Sequence, residues 1–546
     1  MLSITDEKQT HQETVPLNDS EREYLTGLSL AVCLGSITLV SFLVLLDMSI
    51  LGTAIPQITT EFDSLPDVGW YISAYMFCAA TLQPFSGKLY SKFSNKYTYL
   101  AFLVLFELGS LVCGLATSSS VFIAGRVIAG LGAAGLFNGG MTIIASAVPL
   151  EKSPLYTGIL AGCSQLGIVA GPLIGGALTQ HVSWRWCFYI NLPVGGAATV
   201  LYLFVHIPEM VKKDQFSFKL VREVLPELDL IGFALFSPAA IMFLLALQFG
   251  SGNTYAWRSP TIIGLLCGAA VGAVIFLLWE KRMGDQAMIP GTIIRRRIVW
   301  TSCVYASALV CCNIVASNWL PTYFQAVKGE GATLSGIHVL PSILGSLLFV
   351  VISGAAITRL GYYLPWGTFA GVAAAIGTGL ISTLTPTSSV TKWVIYQLIF
   401  GFGRGTGLQI PIVATQNAVS PAEIPIALAV LIFFQNFSSA IGGVISNTIF
   451  TQTLKDKIPI YAPSLSIEAV LKAGSGASAI RGLVPVGRED ELSGLLRAYC
   501  DGLRNIFCFL TGLAVLAMVV SFGLGWKDVR KKQNQDEGDT CDSSAA

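Results

Sequence analysis

Three ionisable residues, Asp47, Glu107 and Arg126, lie inside long apolar runs of this chain. A charge at the middle of a bilayer costs roughly 2.5–3.5 kcal/mol on insertion scales, so each of them needs a partner or a function. Two interpretations are open. In one, Glu107 and Arg126 form a static ion pair that joins two helices, and Asp47 serves helix capping or packing. In the other, a carboxylate in these low-dielectric surroundings exchanges a proton, with Asp47 or Glu107 as the carrier.

Glycines recur at helical spacing in another apolar run. Gly167, Gly171 and Gly175 are four residues apart and therefore form one helix face without side chains. Such a face lets a second helix approach at backbone distance, as small residues do in membranes. Pro172 lacks an N–H and predicts a bend in this helix, and Gly176 extends the small-residue stretch. We interpret the stretch as a hinge or as a tight crossing between moving helices.

The other polar groups within apolar runs are mostly amides. The candidates for a substrate pocket are Asn138, Gln165, Asn318, Trp319, Arg404, Gln409 and Gln435. Hydrogen bonds between helices are the alternative role for each of them. A pocket lined by aromatics and a few amides suits large apolar ligands of varied shape. Arg404 either meets an anionic group of a substrate or pairs with a backbone carbonyl.

The elements that hold these residues must lie in a membrane. The 546-residue chain is 53% hydrophobic and only 12% charged, whereas about a quarter of the residues of an ordinary soluble protein are charged. A single core stops growing at roughly 250–300 residues, so the bilayer must be the solvent for much of this chain. The net charge of +1 does not indicate a nucleic-acid partner. We predict an all-α integral membrane protein.

Twelve cysteines and four histidines form no recognisable metal or redox motif, since neither C-x-x-C nor H-E-x-x-H occurs. Most of the cysteines lie in apolar runs, where a thiol packs as a small hydrophobe. We expect no metal, no cofactor and no enzymatic activity.

The polar first 27 residues contain no apolar signal-peptide core, so the first span is expected to target the chain to the membrane.

Fourteen segments are long and apolar enough to cross a bilayer, which takes about 20 residues of helix. They are 29–53, 67–88, 98–117, 120–147, 156–179, 186–207, 230–250, 261–280, 299–325, 336–357, 364–385, 391–416, 425–451 and 504–526. Lysines and arginines concentrate in loops 87–97, 208–229 and 280–298 and in the C-terminal tail, which predicts that these loops and both termini are cytoplasmic. The long loop 452–503 then faces outward, with a short helix expected at 467–472.

Internal repeats divide these spans. Gly87 stands five residues before Lys92 at the end of the second span, as Gly354 does before Arg359 at the end of the tenth, and Arg404 repeats Arg126. The offset of eight spans predicts a 6 + 2 + 6 arrangement. Its parts are a tail 1–28, a half 29–207, an inserted two-helix segment 208–298, a second half 299–526 and a tail 527–546. Paired repeats with a site at their interface are a transporter design, and we expect the glycine stripe to face the opposite half.

Four stretches resemble the major facilitator superfamily, specifically its fourteen-span fungal drug:proton antiporters. The stretch 167–176 is similar to the antiporter motif of that family, and 47–56 to its first-span motif, with Ser49 in place of the usual Thr. The stretch 125–132 resembles the fourth-span motif, whose arginine, here Arg126, the family uses in proton transfer. The stretch 184–195 resembles the signature that enters the sixth span.

The inner-loop motif, with Gly87, Lys92 and Lys96, departs from the family pattern. Ser91 stands where the superfamily usually has Asp, and Ser94 where it has Gly, so the charge relay of that Asp is not expected here. Lys92 and Lys96 remain to meet helix C-termini or lipid headgroups.

The resemblance implies the major facilitator fold and proton-coupled efflux of hydrophobic small molecules by alternating access. The cargo would be drugs, toxins or a secondary metabolite of the cell itself. A proton-coupled importer of an organic nutrient or siderophore is the alternative, and the antiporter motif favours export. We expect protons, lipid and an apolar substrate as partners, a monomer, no nucleic acid, and a place in the plasma membrane, with a vacuolar or vesicle membrane as the alternative.

Overall fold

The computed structural model describes residues 24–64, 67–211, 213, 222, 224–251, 255–473, 477–484 and 488–528. The described part is largely helical, and it contains an isolated antiparallel bridge between Tyr362 and Asp528. The predictions for most of both tails and for most of the basic loop 208–229 lie outside the described residues.

Helices of the first half follow one another with short connections. They are α1 (Gly27–Phe62), α2 (Val68–Lys92), α3 (Asn95–Leu115), α4 (Ser119–Ala147), α5 (Ser153–His181), α6 (Trp186–Tyr189) and α7 (Asn191–Leu203). The inserted segment contributes α8 (Leu230–Ser251), α9 (Pro260–Met283) and the short α10 (Gly291–Ile294).

The second half repeats this series with more breaks. Its helices are α11 (Arg297–Thr322), α12 (Ala332–His338), α13 (Leu340–Leu360), α14 (Leu364–Ile381), α15 (Val390–Gly407), α16 (Ile410–Gln416), α17 (Ile424–Tyr461), α18 (Ile467–Ala473), α19 (Ala477–Gly482) and α20 (Glu489–Ser521). A π-helical turn, Tyr323–Lys328, extends α11.

Twelve helical segments of the described chain are long and apolar enough to cross a membrane. The other two predicted spans fold as α2 and as α15 with α16, which are helical but less apolar. The composition of α15 explains its lower hydropathy. Its buried face carries Gln397, Arg404 and several glycines, which pack among neighbouring helices.

The loop predicted at 452–503 is shorter than expected. Helix α17 runs on to Tyr461, and α20 already begins at Glu489, with acidic residues in its first turn that stabilise a helix N-terminus. The short helix expected at 467–472 is present as α18.

Helix contacts follow the same pattern in the two halves. In the first half α1 packs on α5, and α4 packs on both α2 and α3; in the second half α11 packs on α17, and α15 packs on both α13 and α14. The halves meet where α2 packs on α17 and where α5 packs on α13, and these two contacts are equivalent under the repeat. Helices α8 and α9 pack on each other, and α8 also contacts α2 and α17.

The two ends of the bundle differ in their cores. We call the end where α2 ends and α5 and α17 begin the inner end, since its loops are those predicted to be cytoplasmic, and the opposite end the outer end. Toward the inner end one core joins the halves, with Tyr99 and Ile144 in the same cluster as Leu428. At the outer end the cluster around Tyr71 and Phe122 contains first-half residues alone among those described.

Candidate functional site

A buried ion pair links α1 and α4. Arg126 Nη1 lies 2.6 Å from Asp47 Oδ2, and the two side chains are only 2% and 0% exposed. Arg126 Nε also donates to the backbone carbonyl of Tyr71, at 3.0 Å. Removing one partner of such a pair leaves an uncompensated buried charge and typically costs about 3–5 kcal/mol. The pair therefore holds α1, α2 and α4 together as long as Asp47 is ionised.

Further groups around the pair were not singled out from the sequence. Asn191, at the start of α7, lies with Nδ2 3.0 Å from Ser110 Oγ on α3 and 3.4 Å from Asp47 Oδ1. The ring of Tyr75 stands 4.4 Å below the Arg126 guanidinium. Asn191 falls within the stretch 184–195, and the resemblance of that stretch to the family signature was the sequence signal that could have pointed to it. The site thus draws on α1, α2, α3, α4 and α7.

Glu107 is not part of this ion pair, so the interpretation of Glu107 and Arg126 as a static pair is wrong. Both of its carboxylate oxygens are shielded from solvent and have no hydrogen-bond partner in the described part of the chain. The face of α3 at Gly109 packs on Ala129 of α4, and Glu107, two residues earlier, is directed instead at Gly195 of α7. It remains a second candidate proton carrier close to Asp47.

The glycine stripe packs on α1, within its own half, so the expectation that it faces the opposite half is wrong. A Cβ at Gly171 would lie 1.8 Å from Ser49 Oγ, and one at Gly167 would lie 2.5 Å from a carbonyl of α1. Gly175 meets α1 in the same way, and the Ser49 hydroxyl donates to the Gly167 carbonyl at 3.0 Å.

The remainder of that motif is directed away from α1. A Cβ at Gly176 would meet nothing within 4 Å, and Pro172 is exposed on α5, which continues without interruption to His181. The predicted motif residues therefore divide into a packing face, which fixes α5 against α1, and an open face.

A different face of α5 meets the opposite half. Ser153 Oγ lies 2.9 Å from Gln416 Oε1, and a Cβ at Gly158 would lie 2.4 Å from Gln409 Oε1. Gln409 itself donates to Ser353 Oγ at 2.8 Å and is fully buried. Gln409, a predicted pocket residue, is thus a packing residue of the interface between the halves near the inner end.

Arg404 forms a hydrogen bond across the interface between the halves. Its Nη2 donates to the side-chain oxygen of Gln165 on α5, at 2.6 Å. The expected backbone carbonyl partner is therefore replaced by a side-chain amide, and two predicted pocket residues lie in direct contact. Arg404 is 6% exposed, and its Nε has no acceptor in the described part of the chain.

The remaining pocket candidates do not converge on these two. Asn138 Nδ2 lies 3.1 Å from Ser86 Oγ, a hydrogen bond between α4 and α2, and Trp319 Nε1 lies 3.0 Å from Ser446 Oγ, between α11 and α17. Asn318 is exposed and Gln435 is partly exposed. Hydrogen bonds between helices are therefore the geometry found for Asn138 and Trp319.

The inner-loop residues meet three different neighbours. A Cβ at Gly87 would lie 2.8 Å from Ala429 Cβ of α17, so this glycine permits the contact of α2 with the other half. Lys92 pairs with Glu227 in the turn before α8. Lys96 Nζ donates to the carbonyls of Leu203 and Val205 at 2.7 and 2.8 Å, and so meets the C-terminus of α7 as a cation is expected to.

The described residues contain no group of three or more His, Cys, Asp or Glu side chains that could hold a metal ion. None of the polar groups just described is arranged as a nucleophile with its base.

Comparisons with known proteins agree with this architecture. The profile of the Major Facilitator Superfamily matches residues 37–443. The MFS-type transporter calB of Penicillium decumbens is 52% identical over 523 residues, which cover 95% of this chain and 93% of calB. The efflux pump mokI of Monascus pilosus is 44% identical over 98% of this chain and 100% of its own. The efflux pump mlcE of Penicillium citrinum is 43% identical over 96% of both chains.

Solved structures share the fold at low identity. The human organic anion transporter MFSD10 (TETRAN) superimposes with a TM-score of 0.59 at 12% identity, over 91% of this chain and all of that one. The proton:xylose symporter XylE gives a TM-score of 0.56 at 11% identity, over 90% of this chain and 94% of that one. With the family profile and the near full-length relatives, the conclusion is plain: the chain is a membrane transporter and belongs to the major facilitator superfamily.

Proposed function

We propose that this protein exports hydrophobic small molecules from the cytoplasm in exchange for protons. Relatives named efflux pumps align over nearly the whole chain and support the direction of transport. The observation that carries proton coupling is the buried pair of Asp47 and Arg126. Because protonation of Asp47 breaks its ion pair, uptake of a proton at this site is coupled to a rearrangement of α1 against α4.

Alternating access would supply the transport step. The halves share a core toward the inner end and have separate cores at the outer end, which is the arrangement of a transporter closed on one side. Protonation of Asp47, or of Glu107, from outside would weaken substrate binding, and release of the proton to the cytoplasm would restore it. Only such a difference in affinity between two states can drive a cycle.

The proposal includes fourteen spans with both termini in the cytoplasm, α2 and α15 with α16 being the two spans of lower hydropathy. We further propose a monomer in the plasma membrane, driven by the proton gradient without a bound cofactor. Tags at the two termini and in the loop between α18 and α19 test the topology. The terminal tags should be protected in intact cells, and the loop tag should be accessible.

The decisive experiment compares accumulation of candidate drugs and secondary metabolites in cells with and without the gene. Expression should lower accumulation, and a protonophore should abolish the difference. Asp47→Asn should abolish gradient-driven efflux while the protein still reaches the membrane, and full activity of this variant would remove Asp47 from the mechanism. The exposed Asp456→Asn is the matched control and should transport normally.

A further variant separates coupling from folding. Asp47→Asn alone leaves Arg126 uncompensated, which can destabilise the fold. The double variant Asp47→Asn, Arg126→Gln removes both charges, so it should fold and still fail to exchange protons. Expression that raises accumulation instead of lowering it would contradict export and favour the importer.

A further inference from the structure

Two arginines, Arg126 and Arg404, are buried within the described halves. The place of Arg126 in the repeat is taken by Gln397, whose Nε2 donates to the carbonyl of His338 as Arg126 Nε donates to that of Tyr71, so the expectation that Arg404 repeats Arg126 is wrong. Arg126 on α4 is neutralised by Asp47 of α1. In the second half α11 takes the place of α1, and it contains neither Asp nor Glu along its length. The neighbouring α13, α14, α15 and α16 contain none either. Arg404 therefore has no carboxylate partner on these helices.

The described partner of Arg404 is a neutral amide, and it accepts from one of the N–H groups of the guanidinium. Gln165 Oε1 accepts one hydrogen bond from Nη2 at 2.6 Å, and Nε is buried without an acceptor among the described residues. A guanidinium presents its donors as a planar fork that matches the two oxygens of a carboxylate. One amide oxygen accepts from a single N–H group, so the remaining donors of the Arg404 guanidinium are open to a better acceptor.

The position of this pair suits an incoming ligand. Along α5, the described polar and glycine contacts with the other half are those of Ser153, Gly158, Gly162 and Gln165, in order from the inner end. Gln165 is the farthest of them from the inner end, and its side chain is partly exposed. Arg404 thus lies where the closed inner interface ends and the halves begin to separate.

We propose that Arg404 binds an anionic group, a carboxylate or an ionised enol, on an otherwise apolar cargo, and that Gln165 occupies the guanidinium when no cargo is bound. The inference rests on the proposed function, because it gives the transported molecule its chemical class. A neutral amide holds the arginine in place but is a weaker acceptor than an anion. The anion therefore displaces it and accepts hydrogen bonds from two N–H groups of the guanidinium. The neutral pair of Asp47 and Arg126 has no free positive charge to offer such a ligand.

The test uses the purified full-length protein in nanodiscs and two probes, 1-pyrenebutyric acid and its methyl ester, whose binding is followed by fluorescence. The wild type should bind the acid at least tenfold more tightly than the ester. Arg404→Gln should lose that preference and leave ester binding unchanged. Arg404→Lys, which keeps the charge but not the fork, should fall between them. Gln165→Ala should keep the preference for the acid, because it removes only the amide that the anion displaces.

Controls separate binding from folding. Arg488→Gln removes an exposed arginine of the outer loop and should bind both probes as the wild type does. Arg404→Gln removes an uncompensated buried charge, so its melting temperature should be unchanged or higher. Equal binding of acid and ester by the wild type, or binding of neither, overturns the proposal. A preference for the acid that persists in Arg404→Gln would also overturn the proposal. So would a lower melting temperature of Arg404→Gln that accounts for the lost preference.

The binding assay has no proton gradient and no direction, which separates this inference from the proposed function. Asp47→Asn should retain the preference for the acid although it fails to export. If the wild type lowers no compound's accumulation in cells but the preference for the acid depends on Arg404, the efflux proposal fails and the anion site stands.

Discussion

The inner and outer ends of this bundle contain the same helices but join them differently. Toward the inner end, residues of the two halves form one hydrophobic core, and Ser153 and Gln416 meet across the interface. At the outer end, the ion pairs of the described residues lie within a half: Glu61 binds Arg185 in the first, and Glu330 binds His338 in the second. In the proposed transport cycle the inner contacts would break, whereas the outer contacts would hold each half together.

Cross-linking the inner interface should have the largest effect. In a background without native cysteines, Ser153→Cys with Gln416→Cys and a short bifunctional thiol reagent should abolish efflux completely, since the halves could not separate there. Each single variant should keep its activity under the same reagent. Glu61→Cys with Arg185→Cys is the matched pair at the outer end and lies within one half. If cross-linking that pair also abolished efflux, or if the inner cross-link left it intact, the comparison of the two ends would be wrong.

Gly87→Leu tests the same interface by steric means. A Cβ at this position would lie 2.8 Å from Ala429 Cβ and 2.9 Å from Ile426 Cα, so a leucine cannot fit while α2 and α17 remain in contact. We expect efflux to fall at least tenfold and the inner end to become more accessible to thiol reagents. Gly512→Leu on α20 is the control, because a Cβ there meets nothing within 4 Å. Unchanged efflux in Gly87→Leu would show that the α2–α17 contact is not needed.

The helical segments and the charges inside apolar runs could be located from the sequence, because both depend on residues close together in the chain. A run of apolar residues predicts a helix in lipid whatever that helix packs against, and Asp47 is conspicuous within such a run. The resemblance of 184–195 to a family signature likewise indicated that residues near Asn191 matter, although not which of them.

The partners of these residues could not be predicted in the same way. The spacing of Gly167, Gly171 and Gly175 determines a helix face but not the helix that meets it, and α1 and α13 were both available to α5. The sequence suggested Glu107 and not Asp47 as the ion-pair partner of Arg126, and the actual choice depends on the rotation of α3 that the contact of Gly109 with Ala129 imposes. Packing over long distances in the chain decides such questions.

A smaller effect is expected where the glycine stripe holds α5 on α1 within the first half. Gly171→Ala would place a Cβ 1.8 Å from Ser49 Oγ, and overpacking of this kind typically costs about 1–3 kcal/mol. We expect a lower melting temperature and a few-fold loss of efflux, with partial rescue by Ser49→Ala. The larger Gly171→Leu should block transport. Normal stability and transport in Gly171→Leu would contradict the close packing of these helices.

The smallest effect is expected at the inner end, where Lys213 ties the loop after α7 to the bundle. Its Nζ donates to the carbonyl of Tyr90 at 2.7 Å, to Asn95 Oδ1 at 3.0 Å and to Glu209 Oε2 at 2.8 Å. Burial lowers the pKa of Lys213, although Glu209 acts in the opposite direction. Because the unfolded chain keeps its proton up to about pH 10.4, it binds more protons than the folded protein between the lowered pKa and that pH.

The free energy of unfolding should therefore rise with pH through this alkaline window, because stability increases wherever the unfolded state binds more protons. Lys213→Met removes the titrating group, so the rise should be smaller in this variant than in the wild type. Thermal unfolding in nanodiscs between pH 8 and 11 measures it, with the exposed Lys455→Met as the control that should follow the wild type. Equal pH dependence in Lys213→Met and the wild type would mean that this ammonium is hydrated in the folded state. In that case the loop would not be sealed against the inner end.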